Sequence, residues 1–384
     1  MKTSRITALD SVRGIASLSV VVHHCFLAFP MFLNTNYHKP TTNAFVNLMA
    51  YTPFHFLWAG HEAVILFFIL SGFVLSLPYL NHNKPTYLQY LIKRIFRIYV
   101  PYLVVILTSS VLLTLNLHRH GISSLSDWFN TQWVDPITIK TILQMIFMVE
   151  NYTQNVNTAT WSLIVEMRIS LLFPIIIFFV AKVNWKQSII VGMMITFFIA
   201  VINNYIKSDI LNTIYYVPMF IYGATLAKYR ERVSSIIITI RPHIKMLIVL
   251  IGINLYIIKW LTPFKILHRQ SIADCFIVLG SLIFISFAMS WPIFRELLEF
   301  RILQWLGNIS FSLYLVHPVV LLTMVYYLNN ILPIWIIIGL VPIASLGISS
   351  VLRSFVEQNS INFGKKLLIR FDKKQLQQND RLVS

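Results

Sequence analysis

The sequence predicts an all-α, polytopic membrane bundle of about ten transmembrane helices. Three observations predict it: 57% of the 384 residues are hydrophobic, only 12% are charged, and apolar runs of bilayer-spanning length recur along the whole chain. Hydrocarbon contains no water to satisfy backbone polar groups, so runs of this kind close their hydrogen bonds internally as helices.

The expected spans are 14–33, 62–80, 99–117, 160–181, 187–206, 211–229, 244–261, 271–291, 303–328 and 334–356. They leave no soluble segment of folding size. Residues 1–361 therefore read as one integral-membrane domain and residues 362–384 as a basic cytoplasmic tail suited to an anionic leaflet. Two connecting segments are long, 34–61 and 118–159. In the second, Asp135 as N-cap and Pro136 in the first turn predict a helix over 137–148, too short to cross and hence interfacial or re-entrant.

The net charge of +17 excludes nucleic acid as a partner once its distribution is followed. Lys84, Lys93, Arg94 and Arg97, then Lys228, Arg230, Arg232, Arg241 and Lys245, then the tail from Arg353 to Arg381, all fall on the side of the N-terminus. The positive-inside rule then places both termini in the cytoplasm, which agrees with an even span count. The basic, apolar start imitates a signal peptide but lacks a clear small-residue cleavage site, so it reads as the first span. Cys25 and Cys275 both lie in apolar segments and imply no disulfide framework.

The first span carries Asp10, Arg13, Ser17 and His24. At 100° per residue these fall within roughly 60° of one another and form one polar stripe. Arg13 and His24 lie about 16 Å apart along the axis, Arg13 near the membrane edge and His24 well inside. A charge at a span centre costs on the order of 2.5–3.5 kcal/mol, so such groups face a protein-lined or watery cavity. The stripe predicts a cavity running from one surface toward the middle.

The stretch Leu9-Asp10-Ser11-Val12-Arg13-Gly14 followed by His24 resembles the opening of the acyltransferase type 3 family, bacterial integral-membrane O-acyltransferases marked by an arginine, ten residues and a histidine. Further stretches resemble it in order: Leu66-Phe67-Phe68-Ile69-Leu70-Ser71-Gly72-Phe73, the pair Arg94 and Arg97, Trp161-Ser162-Leu163-Ile164-Val165-Glu166, and Leu306-Gly307-Asn308-Ile309-Ser310-Phe311-Ser312-Leu313-Tyr314-Leu315-Val316-His317-Pro318. Many members carry an acid just before the Leu-Phe-Phe run. This chain has Ile65 there, with Glu62 the nearest carboxylate.

Acyl transfer to a hydroxyl needs a base, and an imidazole titrates nearest neutral pH. His24 is the expected base, with Arg13 and Glu166 as its catalytic companions. An acyl-CoA donor carries phosphates, which guanidinium groups bind bidentately. Arg94 and Arg97, at the cytoplasmic mouth, are the expected donor-binding pair. Asp10, Asn308, Tyr314 and His317 complete the expected substrate-binding set. No cluster has metal-ligand spacing, and neither a metal nor a resident cofactor is expected. The resemblance implies acetyl-CoA as donor, an extracytoplasmic or lipid-linked saccharide as acceptor, and the bacterial inner membrane as location. Two alternatives stand beside it. One is a secondary transporter or flippase using an intramembrane His/Arg/Glu relay; the other is acylation of a small hydrophobic molecule.

Overall fold

The computed structural model describes residues 6–39, 41–81, 84–116, 121–149, 153–262 and 264–383, and among these residues it is all helix, turn and loop. The principal helices are α1 (Thr7–Leu27), α2 (Gly60–Leu80), α3 (Tyr87–Leu115), α4 (Ile139–Phe147), α5 (Thr160–Lys182), α6 (Trp185–Ile202), α7 (Asp209–Lys228), α8 (Pro242–Tyr256), α9 (Gln270–Ser290), α10 (Arg301–Leu328) and α11 (Ile334–Phe371). Eight of them, α2, α3, α5, α6, α7, α9, α10 and α11, are long and apolar enough to cross a bilayer. The chain is an integral membrane protein.

The two other expected spans differ from expectation for local reasons. The first does not run straight to residue 33, because α1 ends at Leu27 and the chain bends by 113° into a helix over Pro30–Asn36. Proline drives the break: Phe29, preceding Pro30, is held extended (φ −94°, ψ 131°) and Pro30 opens the next helix. The expected span 244–261 is α8, whose 15 residues rise about 22 Å, short of the roughly 30 Å hydrocarbon core.

Capping chemistry accounts for two further differences. α3 starts twelve residues before the expected 99, because the Thr86 hydroxyl accepts from Gln89 N while the Gln89 side chain accepts from Thr86 N. The cap of α4 is Thr138, not Asp135: its hydroxyl accepts from Thr141 N, and Asp135 and Pro136 lie in the preceding loop. α11 continues through a π turn at Arg353–Glu357, and the helix after it, Gln358–Val383, passes through residues 361 and 362 without interruption.

Helix association in lipid lacks a hydrophobic drive between helices and relies on close packing of small residues. The motif glycines supply it. A Cβ on Gly14 of α1 would lie 2.6 Å from the backbone N of Gly307 of α10, and one on Gly307 would lie 2.5 Å from the carbonyl of Asp10. Gly72 of α2 and Gly223 of α7 have no room for a Cβ against the backbones at Phe220 and Ile69. Hydrogen bonds lock the α1–α10 seam: Ser17 Oγ donates to Ser310 O at 2.7 Å, and Gln304 Nε2 donates to Thr7 O at 2.9 Å and Ser11 Oγ at 2.8 Å. Such interhelical bonds contribute about 0.6 kcal/mol each. Much of the expected polar stripe thus faces α10 rather than open space.

Candidate active site

His24 lies one turn before the end of α1, and its Nδ1 is 2.7 Å from Nε2 of His317 on α10. The Nδ1 of His317 is 3.1 Å from the carbonyl O of Leu313. A carbonyl only accepts, so His317 Nδ1 carries a proton. A second proton on this buried ring would leave a charge away from water, which is costly. His317 Nε2 therefore accepts, His24 Nδ1 donates, and the lone pair of His24 falls on Nε2. The pair assigns the tautomer a general base needs.

The indole of Trp128 stacks on the His24 ring at 5.2 Å with 5° between planes. Trp128 reaches it because the segment around Asp127–Asn130 is pinned to the end of α1: Ser126 Oγ donates to Leu27 O at 2.6 Å, and Ser126 N donates to Ala28 O at 2.8 Å. His23 points elsewhere, its Nδ1 3.0 Å from Trp58 O and its ring against Gly60. The two rings meet edge to face, 5.5 Å between centroids, but their hydrogen-bond partners differ.

Arg13 lines a second region, a narrow cleft of about 30 Å³ with Phe67, Ser162, Glu166, Ser310 and Tyr314 among its walls. Glu166 accepts from Ser71 Oγ at 2.8 Å, and the hydroxyls of Ser162 and Tyr314 lie 2.7 Å apart. The guanidinium groups of Arg13, Arg94 and Arg97 repel one another, while Glu166 attracts the latter two. Among the described residues none of the three arginines forms an ion pair. Arg94 Nε is buried with no hydrogen-bond partner, and the Arg97 side chain is exposed. A π turn over Ile95–Tyr99 carries Arg97, so the angle between the two arginines departs from the expected i,i+3 of a regular α-helix.

The expected residues thus fall into two groups. His24 and His317 form one, while Arg13, Glu166 and Tyr314 line the cleft, and Arg94 and Arg97 lie close enough to feel the charges of Arg13 and Glu166. Glu166 belongs with the arginines and has no hydrogen bond to His24. Arg168 is turned away from it, donating to Met148 O at 2.9 Å and Val149 O at 2.6 Å, where it caps the end of α4. Asp10 packs its backbone carbonyl against Gly307, and Asn308 is exposed on α10, off the cleft walls. Tyr314 connects the groups, its ring centroid 5.9 Å from that of His317.

Sequence reasoning missed three polar arrangements. Asp274 of α9, 1% exposed, is 2.7 Å from His61 Nε2 through one oxygen and accepts from Tyr215 at 2.7 Å through the other. Glu62 accepts from the indole of Trp260 at 2.9 Å. Glu357, 4% exposed, accepts from Ser312 Oγ and from Arg353 Nη1, both at 2.7 Å. The signal for the first two was available, since an acid inside an apolar run is functional or structural by default. Glu357 was hidden at the start of the basic tail.

Among the described residues no group of His, Cys, Asp and Glu is arranged to hold a metal. A larger apolar groove, about 360 Å³, lies between α6, α7 and the helix Arg230–Thr239. Its titratable lining is Arg232 with Tyr222 and Tyr229, and neither His24 nor His317 lines it.

No curated protein and no solved structure matches the chain. The family model described as an acyltransferase domain, type 3, matches residues 6–353 and so covers every motif from Asp10 to His317. That stretch holds the His24–His317 pair and the arginine-lined cleft, and the chain belongs to this family of membrane acyltransferases.

Proposed function

We propose that the protein moves an acyl group, acetyl in the simplest case, from acyl-CoA to a hydroxyl of an extracytoplasmic or lipid-linked saccharide. The observation that carries the reading is the His24–His317–Leu313 chain, because it leaves His24 Nε2 as an oriented proton acceptor, with Tyr314 linking the pair to a cleft lined by Arg13. A base without a phosphate-binding mouth would suit many reactions. The two together suit a CoA thioester.

In this mechanism Arg94 and Arg97 hold the CoA phosphates at the mouth and Arg13 receives the donor deeper in the cleft. The acceptor hydroxyl oxygen attacks the thioester carbon as His24 Nε2 takes its proton. The C–O bond forms, the tetrahedral adduct collapses, and the C–S bond breaks to release the CoA thiolate. Protonated His24 then returns its proton to the sulfur. Stacking on Trp128 and the bond to His317 keep the ring fixed during the cycle. The donor approaches from the cytoplasm, where the basic loops lie, and the acceptor from the opposite side of an inner membrane.

The test combines two measurements. Mass spectrometry of surface glycans should show the loss of one acetyl group per acceptor unit in a deletion strain, restored by the wild-type chain and not by His24→Ala. Purified protein in liposomes should release free CoA thiol from acetyl-CoA when that glycan is added. Unchanged glycans together with acceptor-independent thiol release would overturn the reading.

A further inference from the structure

The family match ends at residue 353, yet the chain beyond it packs against the turn that carries Arg97. Each of the two helices carries a π turn near this contact, Ile95–Tyr99 in α3 and Arg353–Glu357 in α11. A π turn widens the helix by one residue and releases carbonyls from their regular partners. Ser360 Oγ takes up one of them, donating to Phe96 O at 2.5 Å. Phe363 packs its ring on that of Phe96 at 5.4 Å, and a Cβ on Gly364 would lie 2.9 Å from the Phe96 side chain. The contact is too close for any larger residue at 364 unless Phe96 moves.

Glu357 ties the second π turn to the bundle. Its buried carboxylate accepts from Ser312 of α10 and from Arg353, both at 2.7 Å, so the buried charge is paired within the turn.

We infer that the segment from Ser360 to Gly364, beyond the family match, is a positioning element of the donor site: Ser360, Phe363 and Gly364 hold Phe96 and so set the π turn at Ile95–Tyr99 that carries Arg97. The inference rests on the reading of Arg97 as a phosphate ligand. The segment touches no substrate. It acts through the arginine.

The test is steady-state transfer by the full chain in liposomes, varying acetyl-CoA and acceptor separately, with CoA binding followed by thermal shift. Phe363→Ala and Ser360→Ala are expected to raise the donor KM roughly tenfold, the loss of about one hydrogen bond to a charged group, with kcat and acceptor KM unchanged. In an Arg97→Ala background neither change should add to the donor KM, because the group they position is gone. If Arg97→Ala raises the donor KM while both tail variants leave it unchanged, or if their effects persist in full without Arg97, the positioning role is wrong. If Arg97→Ala itself leaves the donor KM unchanged, the donor-site reading fails instead. Should Phe363→Ala not fold, Ser360→Ala, which removes a single hydrogen bond, carries the same comparison.

Discussion

Nδ1 of His24 and Nε2 of His317, 293 positions apart in the chain, stand 2.7 Å apart across the α1–α10 seam. The seam can bring them so close because Gly14 and Gly307 let the two helices touch backbone to backbone. Packing and tautomer are one arrangement at this site, and perturbing either should disturb the other.

General-base catalysis is worth roughly 10²–10⁴-fold, so His24→Ala should lose at least the lower figure in transfer while the protein still inserts. His317→Ala should fall within about tenfold of it, and the double variant should be little worse than either single one, as expected of residues acting as a unit. His23→Ala, whose ring bonds Trp58 instead, should be milder. Multiplicative losses at His24 and His317 would show that they act separately.

For the donor side, a charge-assisted hydrogen bond contributes about 1.5–3 kcal/mol, so Arg94→Ala and Arg97→Ala should each raise the acetyl-CoA KM roughly ten- to hundredfold. Lysine should rescue in part, since it keeps charge and loses the planar fork. An unchanged donor KM with lower expression would make the pair a topological anchor.

Substituting Gly307 by Leu should destabilise the protein by more than the 1–3 kcal/mol typical of overpacking, because the nearest obstacle is the α1 backbone rather than a movable side chain. Gly339→Ala is the control. A Cβ there meets nothing within 4 Å, so alanine should be neutral or raise stability by up to about 1 kcal/mol through helix propensity. Thermal unfolding in detergent, followed by the loss of monodisperse protein on sizing, reads both.

Breaking the His61–Asp274 pair should act on stability. Asp274→Ala leaves His61 and Tyr215 without their shared acceptor. Removing one partner of a buried pair costs 3–5 kcal/mol; with the His61 side chain 30% exposed, solvent screening reduces this to on the order of 2–3 kcal/mol. The melting temperature in detergent checks it, and a drop no larger than that of an exposed control such as Glu231→Ala would remove the pair from the fold's determinants.

Topology can be read with single cysteines at Lys84 and Thr131 in a background lacking Cys25 and the exposed Cys275. A membrane-impermeant thiol reagent applied to cells with a permeabilised outer barrier should label position 131 and spare 84. The reverse pattern would place Arg94 and Arg97 away from cytoplasmic CoA and end the proposed mechanism.

Hydropathy alone made most spans legible, since a bilayer imposes a length and composition that any window of about twenty residues reveals. The ends were less legible. The Thr86 and Thr138 caps, the Pro30 bend and the two π turns depend on a few hydrogen bonds rather than on average polarity. The family motifs were legible as well, and they added roles to His24 and Arg13, which the polar stripe of the first span had already singled out.

What the sequence by itself determined is the class of the protein, its principal membrane helices and the residue types its chemistry draws on, because each is a property of local composition and spacing. Partnership was decided only by tertiary structure. That His317 holds His24, that Ser71 rather than Arg168 binds Glu166, and that Trp128 covers the His24 ring follow from which helix faces meet. Those meetings are set by glycine contacts between helices far apart in sequence, and no window along the chain contains both sides of such a contact.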